Sequence, residues 1–278
     1  MAICRVLIVS PPTVDVVEIG GSIVRRPGGP ALYAGYAAGK LGCRAYAVGP
    51  VGYTTLDTAV VERRLGVERL GYRVVGEGYV YRHKYKAGGQ RVSTLIGRPE
   101  PLDPARVLRV LSAGAYNVVL ISPLHGEDDG GLASYIHNNF SAITAVDLQG
   151  YYRGYASVWT PPTARIGSLA HISSDDASDP PREPMANIIV YTRGEAGGEV
   201  LSPSGSLTIP PPPKLVEDPT GAGDIFTMVF AIMLFRGAPP GPAAEEAAAK
   251  TPEILESIRG DEGFQYSVPH SPSEAFWI

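Results

Sequence analysis

Asp218-Pro219-Thr220-Gly221-Ala222-Gly223-Asp224, followed by Ile225-Phe226 and an apolar run to Phe235, is the stretch from which the rest of this sequence is best read. Gly221 and Gly223 let the backbone turn tightly, so that its N–H groups point to one spot. A helix over Gly221–Phe235 adds the positive end of its macrodipole at the same place. Together they make an anion hole suited to a transferring phosphoryl group. Asp224, in the first turn, cannot ligate that group, because like charges repel. It can accept a proton from a hydroxyl that attacks phosphorus. The plainer alternative is an ordinary helix start with Asp224 as a stabilising first-turn charge. The full seven residues, with Phe226 two places on, favour the functional reading.

Outward from this turn the chain alternates between strand and helix patterns. Cys4–Val9 is a continuous apolar run, part of a strand-like stretch from Ile3, as expected of a strand buried on both faces. Val14–Val24 reads as a hairpin turning at Gly20-Gly21. Pro30–Leu41 is a helix stopped by Gly42, Arg44–Val48 a strand, and Thr55–Leu65 a helix capped by Thr54 or Thr55 and ended at Gly66. Val74–Leu95 alternates, is split by Gly88-Gly89, and reads as an antiparallel hairpin with one wet face. Its Tyr79, Tyr81 and Tyr85 suit a half-buried sheet face. Asp103-Pro104 starts a helix to Ala113. Strands follow at Val118–Ser122, Ala142–Asp147 and Ile188–Thr192, with helices at Gly131–Asn138, Gly221–Phe235 and Pro242–Ile258. This order predicts an α/β fold of three layers: a mostly parallel central sheet, helices on both faces and a small β lid.

The bulk properties agree with one α/β domain over 278 residues, 44% of them apolar. Net charge is −4 with no basic stripe, which argues against nucleic acid as a partner. No apolar run is long enough to span a membrane, and the chain opens directly into a strand, so a cytoplasmic protein is expected. Arg outnumbers Lys, Pro is abundant and Asn and Gln are few, a composition that leans towards thermophiles. Cys4 and Cys43 read as reduced core residues. There is no G-x-G-x-x-G after the first strand and no Walker G-x-x-x-x-G-K-[ST], so a dinucleotide oxidoreductase and a Walker-type ATPase are disfavoured.

The seven-residue turn resembles the Asp-Thr-x-Gly-Ala-Gly-Asp signature of the ribokinase-like family, the phosphofructokinase-B-type carbohydrate kinases, with Pro219 and Thr220 in its second and third places. The resemblance extends over nearly the whole chain. Gly28-Gly29 looks like the family's glycine pair against the substrate, and Val48-Gly49-Pro50-Val51-Gly52 like its second glycine signature, although Tyr53 replaces the usual acidic residue. Thr192-Arg193-Gly194-Glu195-Ala196-Gly197 looks like the turn that lines nucleotide phosphates. The magnesium-ordering N-x-x-E element maps to Ser173-Ser174-Asp175-Asp176, and Tyr33 stands near the place of an expected asparagine.

The resemblance implies an ATP-dependent kinase acting with Mg²⁺ on a hydroxyl. Asp224 would be the base and the N–H groups of Gly221, Ala222 and Gly223 the anion hole. Thr192, Gly194, Gly197, Thr220 and Arg153 would face the donor. Asp15, Gly28, Gly29, Asp147 and Gln149 would face the acceptor, and Asp176 would act on magnesium through water. Lids of this family often pair between subunits, which suggests a homodimer. A narrower resemblance, over Ser122–Glu127 and Asp147–Arg153, is to the short branch of archaeal and plant myo-inositol kinases. A cyclic polyol such as myo-inositol is therefore the expected acceptor. A nucleoside kinase and a non-catalytic ligand-binding or regulatory protein are the alternatives. Arg153 could otherwise be a surface arginine, and His125 and Trp159 read as structural.

Overall fold

The computed structural model describes residues 4–85, 91–97, 100–155, 165–181, 185–262 and 264. The Gly88-Gly89 turn, Ile3 and Trp159 lie outside them. In chain order the elements begin with strands β1 (Arg5–Val9), β2 (Thr13–Ile19) and β3 (Ser22–Gly28), helix α1 (Pro30–Lys40), β4 (Arg44–Val48), α2 (Leu56–Arg64) and β5 (Val67–Arg69). Then come β6 (Tyr79–Tyr85), β7 (Arg91–Leu95), α3 (Pro104–Ala113), β8 (Val118–Ile121), α4 (Gly131–Asn139), β9 (Ile143–Asp147) and α5 (Gln149–Tyr155). The last group is β10 (Gly167–Ser173), β11 (Ala186–Thr192), β12 (Gly198–Ser202), β13 (Gly205–Ile209), α6 (Ala222–Phe235) and α7 (Pro240–Gly260).

Two sheets result. The larger has the order β13-β12-β11-β10-β9-β8-β1-β4-β5, parallel from β11 to β5 and antiparallel at β12 and β13. Its central strands are apolar on both faces because both faces are covered. In β1, Val6 and Ile8 join the core under α1, α6 and α7, while Leu7 and Val9 join the core under α3, α4 and α5. β8 divides in the same way, with Val118 and Leu120 on one side and Val119 and Ile121 on the other. This period-two split is what makes the three layers.

The smaller sheet has the order β3-β2-β6-β7. Gly20 and Gly21, both with positive φ (57° and 82°), make the tight β2–β3 turn. The second hairpin starts later than its alternation suggests. Val74 makes only an isolated parallel bridge to Val51, and the paired strand begins at Tyr79. Asp103 caps α3 as expected, accepting from the Arg106 N–H at 3.2 Å. Thr55 occupies the N-cap of α2, but its hydroxyl bonds to Gly52 instead of capping the helix.

The expectation for the cysteines is overturned: Cys4 and Cys43 form a disulfide. The reason is register. β1 and β4 are parallel neighbours with Arg5 opposite Arg44, so the residues just before them face each other, with Cα atoms 4.5 Å apart. The bridge closes a loop of sequence separation 39, so Cys43→Ser should lower the unfolding free energy by about 3–4 kcal/mol. Urea titration with and without reductant checks this. Coincident midpoints would show that the bridge contributes nothing.

Candidate active site

The parallel strands β9, β10 and β11 end side by side at Asp147, Ser173 and Thr192, and an open α/β sheet puts its ligand crevice beyond such carboxyl ends. A cleft of about 740 Å³ opens there. The N-terminus of α6 forms its floor and the small sheet forms one wall. α6 is apolar nearly all round and is buried against α1 and α7, so its first turn is held rigidly in the crevice.

The turn before α6 is built by Gly221, whose φ of 87° is left-handed. A Cβ at Gly221 would lie 2.5 Å from the Tyr33 ring, so the position excludes a side chain on two grounds. Gly223 differs. It has no left-handed φ, and a Cβ there would meet only His171 Cε1, at 3.3 Å. Of the three N–H groups expected to form the anion hole, that of Ala222 is turned to the Pro219 carbonyl, 2.9 Å away. The Gly223 and Asp224 N–H groups are first-turn donors, of the kind a helix leaves without an intrahelical acceptor.

Asp224 is half-buried in the cleft, and its Oδ1 is shut off from solvent with no hydrogen-bond partner among the described residues. Burial raises its pKa well above the ordinary aspartate value. The nearby charges of Asp147 and Asp15 push in the same direction, and Arg153 and Arg91 oppose them. Asp15, on β2, accepts from Thr13 Oγ1 at 2.6 Å and has His83 Nε2 at 3.8 Å. Burial works to raise its pKa, yet His83 and Thr13 hold it below the ordinary value. Gly28 does not line the cleft. It makes room for Asp15, whose Oδ2 lies 2.1 Å from where a Cβ at 28 would be. Gly29, φ 98°, is the N-cap of α1 and does line it. Asp147 accepts from the Gln149 N–H at 3.0 Å and lies 3.9 Å from His171 Nδ1.

On the other side of the turn, Thr220 bonds Tyr85 across the cleft at 2.8 Å, and its N–H donates to Asp218 at 3.0 Å. Asp218 is paired with Arg26 of β3 and with Arg259 of α7. Burial alone would raise its pKa, but the two arginines hold it down. Thr192 Oγ1 lies 3.1 Å from His171 Nε2, and Gly194 and Gly197, both with positive φ, form the next turn along the wall.

Arg153 is no surface residue. Its Nε and a terminal nitrogen lie 2.7 and 3.1 Å from the two oxygens of Asp176, and Ser173 adds a third donor at 3.2 Å. The carboxylate expected to act on magnesium is thus already paired with a cation. Among the described residues no group of three or more His, Cys, Asp or Glu could hold a metal. The described residues thus build no all-protein cage for the ion, whereas one or two carboxylates with phosphates and water would suffice for magnesium.

Cleft residues that escaped the sequence reading of the site include His83, His171, Tyr85 and Arg91. Only Tyr85, one of three alternating tyrosines, carried a signal. His125 does not line the cleft, although its neighbour Leu124 does.

No family model matches the chain, and no curated protein matches it. Solved structures do. A pyrophosphate-dependent kinase in the ribokinase family, complexed with a pyrophosphate analog and myo-inositol, is similar over 98% of this chain and 100% of its own, with a TM-score of 0.69 at 18% identity. Ribokinase from Giardia lamblia is similar over 99% and 100%, with a TM-score of 0.69 at 17% identity. A Burkholderia thailandensis nucleoside kinase in complex with inosine is similar over 95% and 94%, with a TM-score of 0.67 at 15% identity. The chain therefore has the ribokinase-like fold, as expected. No helix among the described residues is long and apolar enough to cross a membrane.

Two outcomes follow for the turn. The unfolded chain ionises Asp224 in the ordinary aspartate range and the folded chain only at higher pH. Between those values folding binds a proton and stability falls as pH rises. Asp224→Asn should therefore raise Tm at neutral pH, and an unchanged or lower Tm would contradict the burial cost. Gly221→Ala should lose roughly 1–3 kcal/mol of stability, whereas Gly223→Val should melt near wild type and lose phosphate binding. Thermal melts and calorimetry on the two variants separate these roles.

Proposed function

We propose that the protein is a kinase that transfers the terminal phosphoryl group of ATP to a hydroxyl of a small polyol, with myo-inositol as the favoured acceptor. One observation carries the reading. Asp224 holds one oxygen shielded from solvent and unpartnered among the described residues at the N-terminus of α6, in the same cleft as Asp15, Asp147 and Gln149. A carboxylate there accepts the acceptor's proton as its oxygen attacks phosphorus, an effect typically worth about 10²–10⁴-fold. The raised pKa brings its basicity nearer to neutral. The first-turn N–H groups and the dipole of α6 meet the transferring group. Asp15, Asp147 and Gln149 present acceptors and an amide to several hydroxyls at once, which suits a polyol. Magnesium enters with ATP, held by its phosphates and by water.

The donor end supports ATP. Beyond the glycine turn the cleft continues between Ile209, Pro212, Leu215, Val216, Ala248 and Leu255, an apolar slot of the kind a purine base occupies. Pyrophosphate, the donor of a structurally similar kinase, would leave that slot unused. The small sheet acts as a lid that excludes water as a competing acceptor. Its outer strands expose Ile23, Val24 and Val92 (63%, 49% and 41%), and we place a homodimer contact there. Tyr81 and Tyr85 in the same wall favour a nucleoside as the second acceptor reading.

The test is kcat/KM for myo-inositol, ribose, fructose, adenosine and cytidine, each with ATP and with pyrophosphate. Myo-inositol with ATP is expected to lead. A nucleoside ahead by tenfold, about 1.4 kcal/mol, overturns the polyol. Pyrophosphate ahead of ATP overturns the donor slot. No transfer to any acceptor favours the non-catalytic binding protein. The pH profile of kcat should fall on the acid side above the ordinary aspartate range, because the base must be ionised. Light scattering reads the dimer.

A further inference from the structure

Two arginines enter the cleft on ion pairs of different character. Arg153 lies along Asp176, whose side chain is 8% exposed, and the pair is locked. Arg91, on β7, reaches from the small sheet to Asp175 at 3.0 Å. Asp175 is 47% exposed and Arg91 is 16% exposed, so the acid is wet and the guanidinium is in the cleft. Such a pair contributes little, about 0–1 kcal/mol, and yields readily to a stronger anion.

Register decides where Arg91 stands. It pairs with Tyr85 across the antiparallel β6–β7 ladder, and directly opposed side chains leave the same face. The Tyr85 hydroxyl is 2.8 Å from Thr220 Oγ1, one residue before Gly221. Arg91 is thus held over the phosphate turn, and its charge favours the ionised form of Asp224.

We propose that Arg91 is a catalytic residue carried by the small sheet: its guanidinium leaves Asp175 for the oxygens of the passing phosphoryl group, opposite the α6 N-terminus, while Arg153 stays on Asp176. This rests on the kinase reading above. In the transfer, the bond from phosphorus to the donor's bridging oxygen breaks and the bond to the acceptor oxygen forms. The acceptor's proton goes to Asp224, and no other reactant is needed. Charge spreads over three equatorial oxygens, and the backbone N–H groups serve one side of them. A guanidinium fork matches the oxygens on the other side. Such a cation suits the site because Asp176, the acid expected to act on magnesium through water, stays paired with Arg153.

The experiment compares Arg91→Ala, Arg91→Lys and Asp175→Asn. Arg91→Ala should lower kcat by about 10²–10³-fold, with the donor KM within about threefold of wild type. Added guanidinium should restore part of that rate, and Arg91→Lys should recover only part, as a point charge. Asp175→Asn should stay within about threefold of wild type, since that acid only parks the arginine. Equal losses in Arg91→Ala and Asp175→Asn would make the pair a structural latch and overturn the proposal, as would wild-type turnover in Arg91→Ala. Calorimetry with ADP–fluoroaluminate and acceptor, a mimic of the group in flight, reads the contact without turnover. Affinity for the mimic should fall about thirtyfold or more in Arg91→Ala while ADP alone binds as before. Unchanged affinity for the mimic overturns the proposal. Asp224→Asn run alongside separates the two failures. If it turns over normally, the base reading fails. If it is dead while Arg91→Ala is unimpaired, the arginine alone fails.

Discussion

A carboxylate oxygen shut off from solvent and unpartnered among the described residues costs a fold free energy, and much of this molecule is arranged around carrying that cost at Asp224. The residue cannot retreat into solvent, because α6 behind it is apolar and packed between α1 and α7. Tyr33 closes against Gly221 from α1, so the turn cannot relax outward either. Asp147 and Asp15 add repulsion, and Arg153 and Arg91 offset it from two separate elements. A poorly solvated acid at the mouth of a rigid helix is a poor stabiliser and a good base.

The turn is also where the small sheet is fastened. Tyr85 of β6 reaches Thr220, Arg26 of β3 reaches Asp218, and Arg259 of α7 reaches Asp218 from the other side. The residues flanking the glycines are thus structural anchors as well as part of the proposed phosphate cradle. Movement of the small sheet and geometry of the turn are one mechanical unit.

Much of this was legible in the sequence, and the limits have physical causes. Apolar runs such as Val6–Val9 and Val118–Ile121 announce strands buried on both faces, and the glycines at 20, 21 and 42 announce where the chain turns. Missed were β5, β10, β12, β13 and α5. β5 is three residues long, and β13 is exposed over most of its length, so neither carries a period. β10 sets a buried histidine and two serines among its apolar residues, and α5 is short and glycine-broken. At the site, Asp224, Asp15 and Asp147 were found because local chain chemistry or resemblance marked them. Arg91, His83 and His171 were not, because what gives them a place is register across two sheets. The Cys4–Cys43 bridge was hidden for the same reason: only the β1–β4 pairing brings the two together.

The space at Gly28 has a consequence for how such a protein can change. Asp15 stands where a side chain at position 28 would be, so the two positions cannot drift independently. Any residue larger than glycine at 28 collides with the carboxylate unless Asp15 has already gone. Once Asp15 has gone, that collision no longer restricts position 28. Divergence along this wall is therefore ordered in time: the carboxylate first, the glycine second. The second step then blocks return to the first, so that a change of taste made by this route becomes an evolutionary ratchet.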